Sequence, residues 1–302
     1  IAAGDTVLQA GRILRQADIM LLAAPGYAEI AVRRKLRVTV LSSGDELLEP
    51  GTADNRTDRI YDSNRYMLMA RLAPLPVEVI DFGQVADRLE DVLKMLNKVI
   101  HQADVLITTG GVSVGDYDFM REAVERVGSI HHYKVALKPG KPFVFGQIMT
   151  TWCFGLPGNP VAATLSFLFV IRSALQKMAG LRPQPLPRIR ARAGCALRKR
   201  PGRLELMRVR LCYHPEEQLS LAAAAPSSSM GKALTGTAET GSQPARAAAG
   251  DLPIAHPTGS QSSALLRSLF EADGIAILPE EQGSLAEGDL LDVVPLRGLT
   301  GS

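Results

Sequence analysis

The sequence predicts an α/β protein: a sheet domain with helices on both faces, followed by a small β domain. Two observations support this prediction. From Lys35 to Gly180, short apolar runs alternate with stretches of helical periodicity. Strands and helices that alternate in this way form a parallel sheet covered on both faces, which makes three layers. After Gly180, a proline-rich linker leads into strand-like runs with few helical signals.

In the region 35–180, the predicted strands are short and apolar. They are Arg37–Leu41, Val77–Phe82, Val105–Thr108, Lys134–Leu137, Pro142–Phe145 and Trp152–Leu156. Helical periodicity indicates helices at Ser63–Leu72, Asp87–Ile100, Phe119–Val127 and Pro160–Met178. The last helix has the clearest boundaries, because Asn159 suits the N-cap, Pro160 the first helical position and Gly180 the C′ position.

The flanking regions, 1–34 and 181–302, carry weaker signals. Residues 1–34 are turn-rich, with a short helix around Ala17–Ala23 and a strand at Glu29–Val32. Because the chain begins with Ile1 rather than Met, we interpret this region as the remnant of a longer N-terminal region. Strands of the β domain are expected at Arg188–Ala193, Leu204–Leu211, Ile275–Leu278 and Leu290–Pro295. Residues 222–258, rich in Ala, Ser, Thr, Gly and Pro, are predicted to be a flexible insertion in it.

Composition excludes several classes of protein. The net charge of +3 is small and evenly spread, which argues against nucleic-acid binding. No uncharged apolar run reaches about eighteen residues, so we expect no membrane-spanning segment. The three cysteines, Cys153, Cys195 and Cys212, form no C-x-x-C pair and indicate neither a disulfide framework nor a zinc site. A reducing, cytoplasmic setting follows as the simpler expectation.

The segment TTGGVSVGDYD, from Thr108 to Asp118, is the strongest candidate for a ligand-binding loop. Its glycines let backbone N–H groups approach an anion closely, and the following helix directs its positive end the same way. Loops at the carboxyl ends of strands are also where open α/β sheets bind ligands. For the glycine pair taken alone, a plain strand–turn–helix connection is the alternative.

Carboxylates follow two other predicted strands. Asp45 and Glu46 lie in SSGDE directly after Arg37–Leu41, and adjacent carboxylates at a strand end suit a hard cation such as Mg²⁺. A solvated turn is the alternative interpretation of this pair. Asp87 comes before the helix that follows Val77–Phe82, where a helix cap is the default role.

The motif YDSN precedes another helix. Asp62 or Ser63 is expected to cap that helix, whereas Asn64 has both the donor and the acceptor needed to bind the edge of a heterocycle.

Three lysines in YKVALKPGKPF form a candidate anion site. Lys134 and Lys138 share one side of the chain, and the Pro-Gly turn after them brings Lys141 towards the same region. A solvated charged face is the alternative. The motif GLPGNP, ending at Pro160, offers the free N–H groups of a helix start as a second anion site.

With GDE, YDSN, TTGGVSVGDYD, KPGKPF and GLPGNP in this order, the chain resembles the MoeA family, which includes the E domain of gephyrin. The resemblance covers almost all of residues 1–221 and resumes at about Gly259. It implies a three-layer αβα domain of the kind shared with molybdopterin adenylyltransferases (MoaB/Mog-like), followed by a small β-barrel-like domain. Family members carry about another domain of chain before the position of residue 1.

The resemblance implies a transferase of molybdenum cofactor biosynthesis, a molybdopterin molybdotransferase. Such an enzyme inserts molybdate into adenylylated molybdopterin (molybdopterin-AMP) and releases AMP with the assistance of Mg²⁺. The implied metal ligands are Asp45, Glu46, Asp87 and Asp118, and the implied catalytic residues are Asp118, Asp87, Glu46, Lys134 and Lys138. The implied pterin and nucleotide cradle comprises Ser63, Asn64, Gly110, Gly111, Val112, Ser113 and Val114, with Pro157 and Pro160 shaping the adjoining loop. Arg208 and Ser260 correspond to groups that lie near molybdate on the β domain.

The resemblance also implies a homodimer, with molybdopterin adenylyltransferase and molybdoenzyme apoproteins as further partners. Two alternative functions stay open. One is the adenylyltransferase step of the same pathway, whose enzymes share the TTGG strand and loop. The other is a gephyrin-like scaffold or an inactive truncated homologue. The KPGKPF and GLPGNP motifs and the β domain favour the molybdotransferase.

Overall fold

The computed structural model describes residues 2, 4–53, 58–111, 119–213 and 252–297. The chain divides into two units, one ending at Leu186 and the next beginning at Pro187. The first unit is built on a sheet with two helical layers, and the second is a β-barrel. Each has a hydrophobic core of its own.

The first unit contains most of the helices. They are α1 (Gln16–Ala23), α2 (Asn64–Leu72), α3 (Leu89–Val99), α4 (Phe119–Val127), α5 (Pro160–Ser166) and α6 (Arg172–Met178). Its strands are β1 (Leu36–Ser43), β2 (Leu47–Leu48), β3 (Ile60–Tyr61), β4 (Val77–Val85), β5 (Val105–Thr109), β6 (Ser129–Tyr133), β7 (Leu137–Lys138), β8 (Val144–Ile148) and β9 (Thr151–Leu156). A π-helical stretch, Phe167–Ile171, joins α5 and α6 into one helix.

The sheet of this unit is mixed, whereas the sequence predicted a parallel one. Its strand order is β4-β1-β5-β9-β8-β6. The first four strands are parallel, but β8 runs antiparallel to both β9 and β6. Only two residues, Met149 and Thr150, separate β8 from β9, and so short a connection joins antiparallel strands only.

Alternating side chains of the central strands bury against helices on both faces. Val105 and Ile107 belong to a core that includes side chains of α2 and of the long α5–α6 helix, while Leu106 belongs to a second core with α3 and α4. This period-two alternation is what a sheet covered on both faces requires. The predicted three-layer α/β fold is therefore confirmed.

The long helix from Pro160 to Met178 is, among the described residues, the one helix long and apolar enough to cross a membrane by length and composition. Inside the protein, 61% of its apolar window is buried. Phe167 and Ile171 pack into the same core as the central strands. We therefore assign this helix to the protein core.

Two predicted strands of the first unit are wrong. At Glu29–Val32 the structure has no strand, and all four side chains are exposed. At Lys134–Leu137 extended geometry is interrupted because Lys134 has a φ of 69°, so the strand there is reduced to Leu137–Lys138.

The second unit contains five strands and one short helix among its described residues. They are β10 (Ile189–Ala193), β11 (Leu204–Cys212), β12 (Ile254–Pro257), β13 (Gly274–Leu278), β14 (Leu290–Pro295) and α7 (Leu266–Phe270). The strands follow the order β12-β10-β14-β13-β11, and pairing of β12 with β11 closes the barrel. The predicted β-barrel-like domain is thus confirmed.

Part of the predicted flexible insertion, 222–258, belongs to this barrel. Residues 254–257 form β12, and Ala255 is completely buried between β10 and β11. The composition of the long segment does not indicate so short a strand. Its place in the core is evident only from its pairing with β10 and β11. Residues 222–251 lie outside the described residues.

Candidate functional site

Three strand exits of the first unit converge on Gly110. The N–H of Gly110, after β5, donates to the carbonyl of Leu156 at the end of β9, at 3.2 Å. An ideal Cβ on Gly158, in the loop after β9, would lie 3.7 Å from Cα of Gly110. The carbonyl oxygen of Ser43, the last residue of β1, also lies against Gly110. The carboxyl edge of the sheet therefore has one centre to which three loops contribute.

Glycine is required at the centre of this site. Gly110 has a φ of +80°, and a Cβ there would lie 1.9 Å from the carbonyl oxygen of Ser43. Gly111 has a φ of +63°, and its ideal Cβ would lie 3.1 Å from Oγ of Ser43. The predicted loop residues Val112, Ser113, Val114 and Asp118 lie outside the described residues.

Asn64 connects α2 to this centre. Its Nδ2 donates to the carbonyl of Gly158 at 2.7 Å. Its Oδ1 is buried and has no hydrogen-bond partner among the described residues. Buried amide oxygens are nearly always hydrogen-bonded, so this atom is a candidate acceptor for a donor on a ligand.

The start of α2 decides which residue of YDSN caps the helix. Asp62 Oδ1 accepts a hydrogen bond from the backbone N–H of Arg65 at 3.2 Å, whereas Ser63 occupies the N-cap position without a side-chain capping bond. Asp62 therefore caps the helix through this hydrogen bond, and the Ser63 side chain is exposed to solvent.

Asp87 lies at the same carboxyl edge of the sheet, in the segment between β4 and α3. Helix α3 begins at Leu89 with Arg88 as its N-cap, so Asp87 does not take the default capping role. Its carboxylate instead accepts a hydrogen bond from the hydroxyl of Ser43, and its N–H donates to Oδ1 of Asp45 at 3.2 Å. The end of β1 and the segment after β4 are therefore tied together through polar contacts.

The predicted cation ligands are partly brought together. Asp45 meets Asp87 through the hydrogen bond just described, and Glu46 folds back so that its carboxylate lies 2.8 Å from an ideal Cβ on Gly44. The described residues contain no group of three His, Cys, Asp or Glu side chains that could hold a metal ion. Asp118, the remaining predicted ligand, lies outside the described residues.

The lysine-bearing loop is held by its own backbone. The N–H of Lys134 donates to the carbonyl of Phe143 at 2.9 Å, and that of Val135 to the carbonyl of Lys141 at 3.0 Å. Lys134 is an exposed, left-handed residue whose Nζ lies 4.6 Å from the ring centroid of Tyr133. No ion pair within the described residues links Lys134 to the carboxylates at the sheet edge.

The loop before α5 has the predicted helix boundaries. Asn159 is the N-cap, although its side chain makes no capping bond, and Pro160 is the first helical residue. Gly180 follows the long helix with a φ of +78°. Pro157 is buried beneath the loop, whereas Gly158 and Asn159 are exposed. The loop is therefore exposed at Gly158 and Asn159, whereas the first turn of α5 after Pro160 is buried.

Arg65 is a residue of this region that the sequence motifs did not indicate. Its side chain is 2% exposed and donates to three carboxylates. Nε reaches Asp62 at 3.1 Å, Nη1 reaches both oxygens of Asp81 at 2.6 and 2.5 Å, and Nη2 reaches Glu49 at 2.5 Å. Burial alone lowers the pKa of Arg65, yet these hydrogen bonds hold it above its ordinary value. The i,i+3 spacing of Asp62 and Arg65 is the one sequence signal that could have indicated the pair.

In the second unit, Arg208 and Ser260 lie next to each other. The Arg208 side chain is 1% exposed, and its Nη2 donates to the carbonyls of Ser262 at 3.0 Å and Ser260 at 3.4 Å. Its Nε donates to Oγ of Ser268 at 3.2 Å. Burial lowers the pKa of Arg208 from its ordinary value. These contacts use the backbone of Ser260 rather than its hydroxyl.

Comparison with known proteins identifies both units. Residues 39–177 match the family model described as a probable molybdopterin binding domain, and residues 238–296 match the MoeA C-terminal region (domain IV). A crystal structure of the molybdopterin biosynthesis MoeA protein from Pyrococcus horikoshii matches with a TM-score of 0.71 at 25% identity, covering 97% of this chain and 62% of that chain. The chain belongs to the MoeA family. Because the second match starts at residue 238, the expectation that similarity resumes only at about Gly259 is wrong.

Relatives of this MoeA-family chain carry consistent names. Molybdopterin molybdenumtransferase of Haemophilus influenzae is 34% identical over 299 residues, which cover 99% of this chain and 65% of that protein. Molybdopterin molybdenumtransferase 2 of Mycobacterium tuberculosis is 37% identical over 191 residues, covering 61% of this chain and 47% of that protein. The chain thus spans less than two thirds of the length of these curated relatives.

Proposed function

We propose that this chain carries out the molybdenum-insertion step of molybdenum cofactor biosynthesis. Its substrates would be molybdate and adenylylated molybdopterin, and AMP would leave when the phosphoanhydride bond is cleaved. The convergence of Ser43, Asp87, Asn64 and the TTGG glycines at one sheet edge is the observation that carries the proposal. The names and identities of the matched relatives support the same reaction.

The α2 side of the edge suits the pterin nucleotide. Gly110 and Gly111 expose their backbone to close approach, and Asn64 Oδ1 is available to accept a hydrogen bond from a heterocycle. The exposed residues Gly158 and Asn159 precede the start of α5, where the positive end of the helix dipole would favour a phosphate. This side of the site would bind and orient the substrate.

The carboxylates on the α3 side of the edge support the binding of a hard cation as part of this proposal. Asp45 and Asp87 would hold Mg²⁺, with Glu46 on the same loop and Asp118 as a further ligand, because carboxylate oxygens are the donors this ion prefers. The bound ion would neutralise charge on the phosphoanhydride. The Ser43 hydroxyl, which donates to Asp87, fixes the orientation of that carboxylate.

Lys134 and Lys138 would bind the oxyanions of molybdate or phosphate. Lys134 retains a left-handed backbone that a lysine adopts only at a cost of about 1–2 kcal/mol. Such strain concentrates at functional sites. The backbone geometry therefore supports a role for this residue in binding.

We also propose that the chain acts as a homodimer in the cytoplasm. Helix α1 buries Asp18 but exposes Ile19 and Met20 by 57% and 73%, which leaves an apolar surface for a second copy. None of the three cysteines, all of which lie in the described residues, forms a disulfide, in keeping with a reducing compartment. A molybdopterin adenylyltransferase would supply the substrate, and molybdoenzyme apoproteins would receive the product.

The proposal is tested by AMP release. The chain is mixed with adenylylated molybdopterin, molybdate and Mg²⁺, and AMP is separated by chromatography. We expect molybdate-dependent AMP release, and Asp87→Asn should reduce it by about tenfold to a hundredfold because a cation ligand is lost. Asp91→Asn, the same substitution on the solvent side of α3, is the matched control and should retain the activity of the parent.

Two outcomes would contradict the proposal. One is an Asp87→Asn variant that folds normally and releases AMP at the rate of the parent. The other is production of the adenylylated pterin from ATP without AMP release in the presence of molybdate, which would instead favour an adenylyltransferase.

A further inference from the structure

Arg65 is a buried cation to which the roles above assign nothing. Its guanidinium joins three carboxylates that belong to different parts of the first unit. Asp62 comes just before α2, Asp81 belongs to β4, and Glu49 follows β2. An arginine fork holds carboxylates in fixed directions because its donors are coplanar and rigid. The arrangement therefore holds three chain segments in fixed positions relative to one another.

Glu49 lies on the segment that carries Asp45 and Glu46. That segment is joined to the chain around β3 by two backbone hydrogen bonds, from the N–H of Ile60 to the carbonyl of Glu46 and from the N–H of Asp62 to the carbonyl of Leu48, both at 2.9 Å. Strands β2 and β3 have only two residues each, so this pairing by itself is weak. Further contacts are needed to hold the segment in place.

The Glu49 side chain supplies those contacts through its charge. It is 48% exposed, so packing does little to hold it, yet it bonds Nη2 of Arg65 and accepts a hydrogen bond from the hydroxyl of Tyr66 at 3.2 Å. Nε2 of Gln84 in β4 lies 3.4 Å away as a further donor. Arg65 is the one cation among these partners and is itself held by Asp62 and Asp81.

The three carboxylates need the guanidinium between them. Without it, Asp62 would be a buried, unpaired carboxylate, and Glu49 and Asp81 would lose the charge that draws them together. Buried ionic groups of this kind often add little net stability over apolar residues, but they can specify one geometry. Here the geometry specified is that of the segment bearing Asp45 and Glu46 relative to β4 and α2.

We propose that Arg65 is a positioning residue which, through Glu49, fixes the Asp45–Glu46 segment against β4, the strand that leads to Asp87. The consequence for cation binding rests on the proposed function, whereas the positioning itself does not. Arg65 also follows Asn64 directly, so the same side chain anchors the start of α2 from which Asn64 reaches Gly158. One guanidinium thereby orients both sides of the candidate site.

The test separates Glu49 from Arg65 while leaving the other two ion pairs of Arg65 intact. Glu49→Ala removes the link to the segment but keeps Arg65 paired with Asp62 and Asp81. Glu78→Ala, at an exposed position near the other end of β4, is the matched control. Glu49→Gln keeps an acceptor for Arg65 and should restore part of any loss, which a general packing defect would not show.

Hydrogen exchange is the first readout, because it needs neither metal nor substrate. We expect exchange of the Ile60 and Asp62 amides to accelerate by at least about tenfold in Glu49→Ala and to stay unchanged in Glu78→Ala. The thermal midpoint should match that of the parent. Equal exchange rates in the two variants would overturn the positioning role, whatever the activity.

Affinity for Mg²⁺ alone, measured by calorimetry, is the second readout. We expect Glu49→Ala to raise the dissociation constant by about tenfold to a hundredfold, the usual cost of removing support behind a metal ligand, with Glu49→Gln in between. An affinity equal to that of Glu78→Ala would overturn the link to the cation ligands. Failure of the unchanged chain to release AMP would count against the proposed function, and the exchange comparison would still decide the role of Arg65.

Discussion

The two units each bury an arginine, and the two arginines are satisfied in opposite ways. Arg65 in the sheet unit is surrounded by carboxylates, and its pKa is held above the ordinary value. Arg208 in the barrel donates to backbone carbonyls and one hydroxyl, and its pKa is lowered by burial. No described carboxylate forms an ion pair with Arg208.

This difference shows two uses of the same side chain. Carboxylates that come from separate segments make Arg65 an electrostatic junction, so it relates the segments around the candidate site to one another. The neutral acceptors of Arg208 lie mostly within residues 260–268, so it holds one loop against β11. Arg65 depends on the negative charge of its partners, whereas Arg208 depends on acceptors for its hydrogen bonds.

The largest effect is expected from Arg65→Met. It leaves the buried carboxylate of Asp62, and the more exposed ones of Glu49 and Asp81, without a cation, and we expect a loss of about 3–5 kcal/mol in the free energy of unfolding. Trp152, the one tryptophan of the chain, lies in β9 of the first unit, so its fluorescence in urea reports this transition. Adding Asp62→Asn to the variant should recover part of the loss. A loss below about 1 kcal/mol would show that the carboxylates do not depend on Arg65.

A smaller effect is expected from Arg208→Met. The substitution removes donors from neutral acceptors and strands no charge, so the loss should be about 1–3 kcal/mol. Hydrogen exchange of the β11 and β13 amides measures it in the barrel, with exposed Arg203→Met as the control. If Arg208→Met cost as much as Arg65→Met, the contrast between charged and neutral partners would be wrong.

The smallest expected effect is the loss of stability at low pH that Asp104 causes. The hydrogen bond from Arg34 holds the pKa of Asp104 well below its ordinary value although burial opposes it, and the backbone N–H of Arg37 adds to the lowering. Because the folded pKa is below the unfolded value of about 3.9, this stabilisation is complete above that pH and is lost as pH falls towards the folded pKa. From pH 5 to pH 2 the parent should lose about 1 kcal/mol more than Asp104→Asn, as followed by Trp152 fluorescence. If the free energy of unfolding changed equally with pH in the two proteins, Asp104 would not contribute to the loss of stability in acid.

Much of the fold and part of the site could be predicted because their causes are local. Helical and strand periodicity located the layers, and Pro160 and Gly180 located the ends of one helix. Gly110 was recognisable as a loop glycine because a turn with a positive φ at a strand end favours glycine, which is a local property. Asn64 was also a candidate site residue, although its contact with the loop after β9 was not predicted.

The remaining features depend on which segments meet in space. Pattern alone indicated a cap for Asp87, yet the side chain turns towards Ser43, a residue 44 positions away. Strand β12 is recognisable only by its pairing on both sides.

By itself, the sequence determined the α/β layers, the barrel and the glycine-centred loop, since periodicity, helix boundaries and backbone freedom are properties of neighbouring residues. Only the tertiary structure decided that Arg65 would join Glu49, Asp62 and Asp81, while Arg208 would meet neutral acceptors. The partner of a buried charge is set by long-range packing, because desolvation makes the charge depend on whichever groups the fold places beside it.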